Sequence, residues 1–428
     1  MKIKNRELKI NNFQKFKYLR CVIMSRQKFI RDSIHGNLPL TEFEVEVLDY
    51  PQVQRLRRVK QLGFISLIYP GANHSRFEHC IGTMHLASKL AEQLELDEHD
   101  KELVRMAGLL YDAGHGPFSH VSEAVFEAPH EELTGYIVTK TSLADKLSEK
   151  FNTQEIVDII NGKGRLGPII SGELDMDRMD YLIRDSHYTG VAYGVIDTER
   201  IISNLKLKRE LILDIKGVQA AEAALTARYL MYPSVYQHHT TRIINAMFRR
   251  CLRHMISQDI VNPNEMYKYD DSDMISMCRS SEGFSRDIME RIDNRQLLKV
   301  AKSEPVNGFE NPEQIFKIEK EKLAKAEEEI SEDFGLDRNY VILNVSEYPS
   351  FDEMKTWVSF GENLYHLNEI SSIVGALSSA RFNSADIALY VPKEDMEKLN
   401  RLKLDNYIDL PERVNKFDTI HFEQSTLF

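Results

Sequence analysis

The sequence predicts a mostly α-helical protein that closes with a small α/β subdomain. Three observations carry this. Apolar residues recur at helical spacing through the first two thirds of the chain. Short polar turns with Gly and Pro separate these runs. Only beyond about residue 335 do Val- and Ile-bearing segments beside turn residues read as strands.

The elements follow in order. Thr41-Glu42-Phe43-Glu44 is a capping box, a hydroxyl N-cap with a carboxylate three residues on. Pro51 suits the first turn of the next helix, and Gly63 suits its C-terminal stop. Residues 79–94 place Ile81, Leu86, Leu90 and Leu94 near one helix face. Asp100 can cap a helix whose stripe is Leu103, Val104, Ala107 and Leu110, ending at Gly114. Helices are expected over 175–186 and 220–231. The charge-rich stretch 317–333 reads as a helix with a solvated face. Strands are expected at 340–345 and 386–391. The resulting division is an N-terminal extension over 1–24, a helical domain over 25–315, and a C-terminal helix with the α/β subdomain over 316–428.

Bulk properties narrow the function. The 428 residues suffice for one large or two ordinary domains. No stretch approaches the roughly 18 apolar residues of a membrane span. A net charge of −11 argues against a general nucleic-acid binder. Cys21, Cys80, Cys251 and Cys278 are far apart with no CxxC pair, which fits a reducing, cytoplasmic setting. The first 23 residues lack the apolar core of a secretory signal. Residues 25–36 read like the start of the domain, so Met24 is a candidate start.

The densest chemical signal is Tyr111-Asp112-Ala113-Gly114-His115-Gly116-Pro117-Phe118-Ser119-His120. An apolar helix stops at a carboxylate, and two histidines follow in a glycine-rich turn where backbone can approach a ligand. His74-Ser75-Arg76-Phe77-Glu78-His79 adds imidazoles and a guanidinium at a helix start. On a helical wheel over 175–185, Asp177, Arg178, Tyr181 and Asp185 fall within about a 100° arc. Met176, Met179, Leu182 and Ile183 take the other side. Arg228, Tyr232 and Tyr236 stand at i, i+4 and i+8, with Pro233 interrupting or restarting the helix. Carboxylates and imidazoles bind a divalent cation, which lowers the pKa of bound water and polarises a phosphoryl oxygen. Arginine matches phosphate with a planar fork of donors. A further histidine can protonate a leaving oxygen.

These segments, with RFEHCIG, DAGHGPFSH, DMDRMDYLIRD and VYQHH in that order, resemble the HD-domain phosphohydrolases, and within them the deoxynucleoside triphosphate triphosphohydrolases. The resemblance covers residues 28–239 and implies a multi-helix HD-domain fold. It implies that His79, Asp112 and Asp177 are metal ligands. The family's HD histidine falls on Tyr111, the main departure, and a neutral phenol is a poor ligand. By the same resemblance His120 protonates the leaving group, supported by His115, Glu123 and His130. Arg76, Arg178 and Arg228 fall where the family contacts phosphates. Gln61, Leu62, Tyr181, Asp185 and Tyr236 fall where it reads the deoxyribose. Lys28, Asp49, Gln54 and Arg57 match a second, regulatory nucleotide site, although Gln54, Arg55, Arg57, Arg58 and Lys60 also make an ordinary basic helix surface.

Three functions are therefore expected in descending order. The first is metal-dependent hydrolysis of a dNTP to deoxynucleoside and triphosphate. The second is HD hydrolysis of another phosphate ester. The third is a catalytically impaired nucleotide-binding regulatory or assembly protein. The implied cofactor is a divalent metal, Mn or Mg favoured and Fe, Co, Ni or Zn possible. The implied partners are nucleotides and further copies of the chain in a homo-oligomer, with no membrane and nucleic acid disfavoured.

Overall fold

A computed structural model describes residues 28–125, 128–349 and 355–414. The extension expected over 1–24, the candidate start at Met24 and the last residues, 415–428, lie outside them. Helix accounts for 59% of the described residues and strand for 12%, so the mostly α expectation holds.

An antiparallel hairpin comes first. Lys28 on β1 (Lys28–Asp32) pairs with Leu40 on β2 (Gly36–Leu40). Its turn is held by Asp32 Oδ1, which accepts from the amides of Ile34 and His35 at 2.9 and 2.7 Å. Gly36 at φ +79° closes it in the left-handed region that favours glycine. Helix α1 (Glu42–Leu48) begins with the expected capping box at Thr41 and Glu44. Pro51 does start the next helical turn, Pro51–Gln54, but that turn tightens to 3-10 geometry over Arg55–Arg58. Gly63 is not its stop; at φ +51° it opens a separate 3-10 turn, Gly63–Leu67.

Helix α2 (Arg76–Gln93) starts three residues before the apolar pattern, because Ser75 and Glu78 form a second capping box. Helix α3 (Glu98–Leu110) is capped by Asp97, whose carboxylate accepts from the amide of Asp100 at 2.9 Å; Asp100 itself sits inside the first turn. It ends at Leu110, not Gly114. Gly108 lets α3 lie close to α2: a Cβ there would stand 3.1 Å from the backbone of Met84. Leu86, Ala87 and Leu90 of α2 and Val104, Ala107 and Leu110 of α3 are fully or almost fully buried in this seam. Burying a Leu, Val or Ile side chain stabilises by about 1.5–3 kcal/mol, so this seam contributes strongly to the stability of the helical core.

Short helices α4 (His120–Glu123) and α5 (His130–Lys140) follow. Further along, beyond short helices at Ser142–Ser148, Thr153–Ile160 and Gly167–Ile170, come α6 (Met176–Thr189), β3 (Leu205–Leu207), β4 (Leu211–Asp214), α7 (Val218–Met231) and α8 (His239–Ser257). Helix α9 (Asp271–Ser280) precedes β5 (Lys299–Pro305), and α10 (Lys320–Phe334) buries only Ala326, Glu327, Ile330 and Ser331. The last strands are β6 (Ile342–Val345), β7 (Trp357–Phe360), β8 (Asn363–His366) and β9 (Asp386–Val391). They form one sheet in the order β3-β4-β7-β8 and another in the order β5-β9-β6. Both sheets join strands from before and after residue 316. Among the described residues no helix is long and apolar enough to cross a membrane.

Candidate functional site

A cleft of about 440 Å³ opens between α2, α4, α6 and α8 and the turn after α3. Its floor begins with α2. Arg76 and His79 are one turn apart and both are buried. Nε2 of His79 lies 2.7 Å from Oδ1 of Asp177 and 3.5 Å from Oδ2 of Asp112, and its Nδ1 lies 2.9 Å from Oδ2 of Asp180. Arg76 donates through Nη1 to Asp112 Oδ2 at 2.7 Å and through Nε to Ser119 Oγ at 2.9 Å.

The loop over 111–120 is tied down at several points. Thr134 Oγ1 accepts from the amide of Gly114 at 2.9 Å, and Asp271 Oδ1 accepts from the amide of Phe118 at 2.7 Å. A side chain at Gly114 would sit 2.2 Å from the carbonyl of His130, so only glycine permits this approach. Phe118 and Ser119 both have positive φ, +57° and +54°. Each costs about 1–3 kcal/mol and is held there by the anchors around it. Burial pushes the Asp271 carboxyl up to about 6.

On this loop the histidines converge. Glu123 lies 2.8 Å from Nδ1 of His120 and 2.9 Å from Nδ1 of His130. Burial opposes its charge, yet these hydrogen bonds hold its carboxyl well below the usual range. His115 and His130 stack at 3.9 Å between ring centres. Burial, Arg76 and His130 keep His115 neutral. His120 is exposed at the mouth.

Asp175 caps α6 by accepting from the amide of Arg178 at 2.8 Å. Asp177, Arg178, Tyr181 and Asp185 line the cleft, while Met176, Met179 and Leu182 are buried behind them. Arg178 also reaches Asp175 and the carbonyl of Gly172. Pro233 does not break the third cluster. One π-helical turn, Tyr232–Tyr236, continues α7, so Arg228, Tyr232 and Tyr236 all line the cleft. Asp185 accepts from the Tyr236 hydroxyl at 2.9 Å and pairs with His74 Nε2 at 2.8 Å. Gln61 and Leu62 stand in the same wall, and Gln61 Oε1 is buried with no partner. An amide oxygen left so is costly unless a ligand donates to it.

The structure thus gathers Gln61, Leu62, Arg76, Asp112, His115, His120, His130, Asp177, Arg178, Tyr181, Asp185, Arg228 and Tyr236 into one cleft. His79 and Glu123 support it from behind through the bonds above. Lys28, Asp49, Gln54 and Arg57 do not line it. Lys28 is on β1, Asp49 is the C-cap of α1, Gln54 donates to the carbonyl of Leu48, and Arg57 donates to Gln54 while stacking on Phe77.

Sequence reading missed Thr241 and Asn245 in the cleft wall, whose Oγ1 and Oδ1 are buried without partners. The signal was present: two polar residues four apart interrupt the apolar face of α8. It also missed Glu347, which meets Tyr232 and Gln237 at the rim and has no motif around it. Asp180 and Arg184, both fully buried, were hidden inside the DMDRMDYLIRD segment.

Among the described residues His115, His120, Glu123 and His130 bring their ligand atoms within 4.8 Å of one another, and the His79, Asp112 and Asp177 group has the donor chemistry of a divalent-cation site. With Nδ1 donating to Asp180, the Nε2 lone pair faces two carboxylates and needs a positive charge between. Without an ion the proton itself supplies that charge. Burial opposes it, but the hydrogen bonds to Asp177 and Asp180 raise the His79 pKa to about 10. Asp112 Oδ1 is likewise buried, with only His115 Nε2 beside it, at 3.4 Å. Tyr111 lines the cleft beside them. Burial and the charges of Asp177 and Asp112 push its phenol far above the usual value, so it stays neutral.

The HD domain family matches residues 76–185, which carry this cleft's floor, and the HD associated region matches residues 196–419, more than half of the chain. This chain belongs to the HD-domain phosphohydrolase family. The HD protein is 36% identical over 396 residues to an uncharacterized protein of Methanocaldococcus jannaschii, covering 91% of this chain and 83% of that one. It is 32% identical over 308 residues to the deoxynucleoside triphosphate triphosphohydrolase SAMHD1 homolog of Dictyostelium discoideum, covering 64% of this chain and 59% of that relative. It also resembles the crystal structure of a phosphohydrolase from Bacteroides thetaiotaomicron, with a TM-score of 0.70 and 25% identity, over 86% of this chain and all of that one.

Proposed function

We propose that this HD protein hydrolyses deoxynucleoside triphosphates to deoxynucleoside and triphosphate. One observation carries the reading: Asp112, Asp177, three arginines and an exposed histidine share a single cleft, with His79 behind its floor, and the other wall holds Gln61, Asp185 and Tyr236. A divalent cation on His79, Asp112 and Asp177 would supply an activated water and a polarised phosphoryl oxygen. Arg76, Arg178 and Arg228 bind the phosphates. Gln61 Oε1 accepts from the 3′-hydroxyl beside Asp185, and Leu62 crowds a 2′-hydroxyl. Hydrolysis breaks the bond between the α-phosphorus and the 5′ oxygen. That oxygen takes its proton from His120, which Glu123 orients through Nδ1 so that Nε2 is left for the substrate. One imidazole beside two carboxylates favours Mn²⁺ or Mg²⁺ over softer ions.

The test is incubation with each dNTP and Mn²⁺, Mg²⁺, Co²⁺ or Fe²⁺. Equal release of deoxynucleoside and triphosphate is expected. Release of phosphate or pyrophosphate instead would support another phosphate ester. Tight nucleotide binding without turnover would support the impaired, nucleotide-binding protein that Tyr111 favours.

The Lys28, Asp49, Gln54 and Arg57 group is proposed to take a regulatory nucleotide and to stabilise a homo-oligomer. Light scattering with and without GTP and dNTPs checks it. Growth of the particle toward a tetramer on adding nucleotide is expected, and a monomer under every condition removes this part of the reading.

A further inference from the structure

We propose that Asp180 is a positioning residue for His79, and that the β1–β2 hairpin holds Asp180 in place through His35 and Arg184. The inference rests on the reading of His79 as a metal ligand. It concerns residues that do not line the cleft at all.

Asp180 is fully buried on α6, one turn from Asp177. Each of its oxygens takes two donors. Oδ2 accepts from His79 Nδ1 at 2.9 Å and Arg184 Nε at 2.8 Å. Oδ1 pairs with His35 Nε2 at 2.6 Å and accepts from Arg184 Nη2 at 2.9 Å. The first of these contacts fixes the tautomer of His79, because a ring that donates through Nδ1 presents a lone pair at Nε2. That lone pair points to where Asp112 and Asp177 converge. A carboxylate behind a ligating imidazole also strengthens it as a donor.

The carboxylate has no room to drift. A Cβ at Gly82 of α2 would sit 2.0 Å from Asp180 Oδ1 and 2.4 Å from Arg184 Nη2, so α2 and α6 touch here only because residue 82 is glycine. Arg184 is anchored in turn by Asp32, with Nη1 at 2.8 Å from Oδ2. Asp32 is also the residue that holds the hairpin turn and presents His35. A chain of hydrogen bonds therefore runs from the hairpin, through His35, Arg184 and Asp180, to His79, across 145 residues of sequence. A purely structural ion pair needs only Arg184 with Asp32 and Asp180. It gives no reason for an imidazole from the hairpin and an imidazole from the cation site to share one carboxylate.

The experiment is calorimetric titration of the full chain, first stripped by chelator, with Mn²⁺. Thermal melting of each stripped protein reports the fold separately. Asp180→Asn is expected to weaken Mn²⁺ binding by about 10–100-fold, the scale seen when such partners of a ligating histidine are removed. His35→Ala is expected to weaken it several-fold. His35→Gln, whose amide can still donate to Asp180 Oδ1, is expected to restore most of that loss. A merely structural role would move the melting temperature and show no rescue of affinity by Gln. If folded Asp180→Asn binds Mn²⁺ as the wild type does, the proposal is overturned. If Asp180→Asn does not fold, the His35 pair decides, and equal wild-type affinity in both variants overturns it. His79→Ala separates the two layers. Unchanged Mn²⁺ binding in that variant removes His79 as a ligand and the proposal with it. Binding lost in His79→Ala but kept in Asp180→Asn removes only the positioning role.

Discussion

Asp177→Ala is expected to abolish divalent-metal binding and phosphohydrolysis together, and Asp112→Ala to do the same at a further cost in stability. The two carboxylates supply most of the negative charge at His79 Nε2, and each offers a charged oxygen to the ion. They differ in what else they hold. Asp177 is partly exposed, and its bond to His79 matters only for the site, so the alanine variant should fold like the wild type. Asp112 is fully buried and takes the charge of Arg76 at 2.7 Å. Truncating it leaves a buried guanidinium unpaired, which costs about 3–5 kcal/mol. Elemental analysis and triphosphate release test the first claim, and thermal melting tests the second. Wild-type turnover in either variant with metal content unchanged would sink the assignment of these ligands.

Much of this site could be read from the sequence because its parts lie on regular helices. The wheel over 175–185 put Asp177, Arg178, Tyr181 and Asp185 on one side, and all four line the cleft. The same wheel could not rank Asp180 and Arg184. A buried carboxylate and a buried guanidinium look like solvated charges until their partners, 145 and 152 residues away, are known. Glu347 was invisible for a related reason: it enters the rim from a loop after β6, and nothing local marks it. Helix ends were read less well than helix faces. Asp97 and Asp100 are both good caps, and only the amide that points back to Asp97 shows which one serves. Gly63 and Gly114 were both read as stops. One opens a turn and the other admits a close backbone, uses of glycine that sequence alone does not separate.

The last expected result concerns Tyr111, the position to which the sequence resemblance assigns the family's HD histidine. Tyr111→Phe is expected to leave Mn²⁺ affinity nearly unchanged, and Tyr111→His to tighten it by about 10–100-fold. The phenol is held neutral by burial and by the carboxylates of Asp177 and Asp112, and a neutral phenol contributes little as a ligand. What Tyr111 does supply is packing: its ring meets His130 edge to face at 6.1 Å, a contact that phenylalanine keeps. A histidine at this position would add a second nitrogen to a site that now has only His79. It would also shift the preference away from Mn²⁺ and Mg²⁺ toward Co²⁺, Ni²⁺ and Zn²⁺, which favour nitrogen ligands. Turnover should rise with it where metal occupancy limits the rate. Titration of the wild type and both variants with Mn²⁺ and Co²⁺ reads the result. A large loss of affinity in Tyr111→Phe would reverse the argument. The phenol would then be ionised and bound, and the ion strong enough to take its proton against two neighbouring carboxylates would be a trivalent Lewis acid such as Fe³⁺.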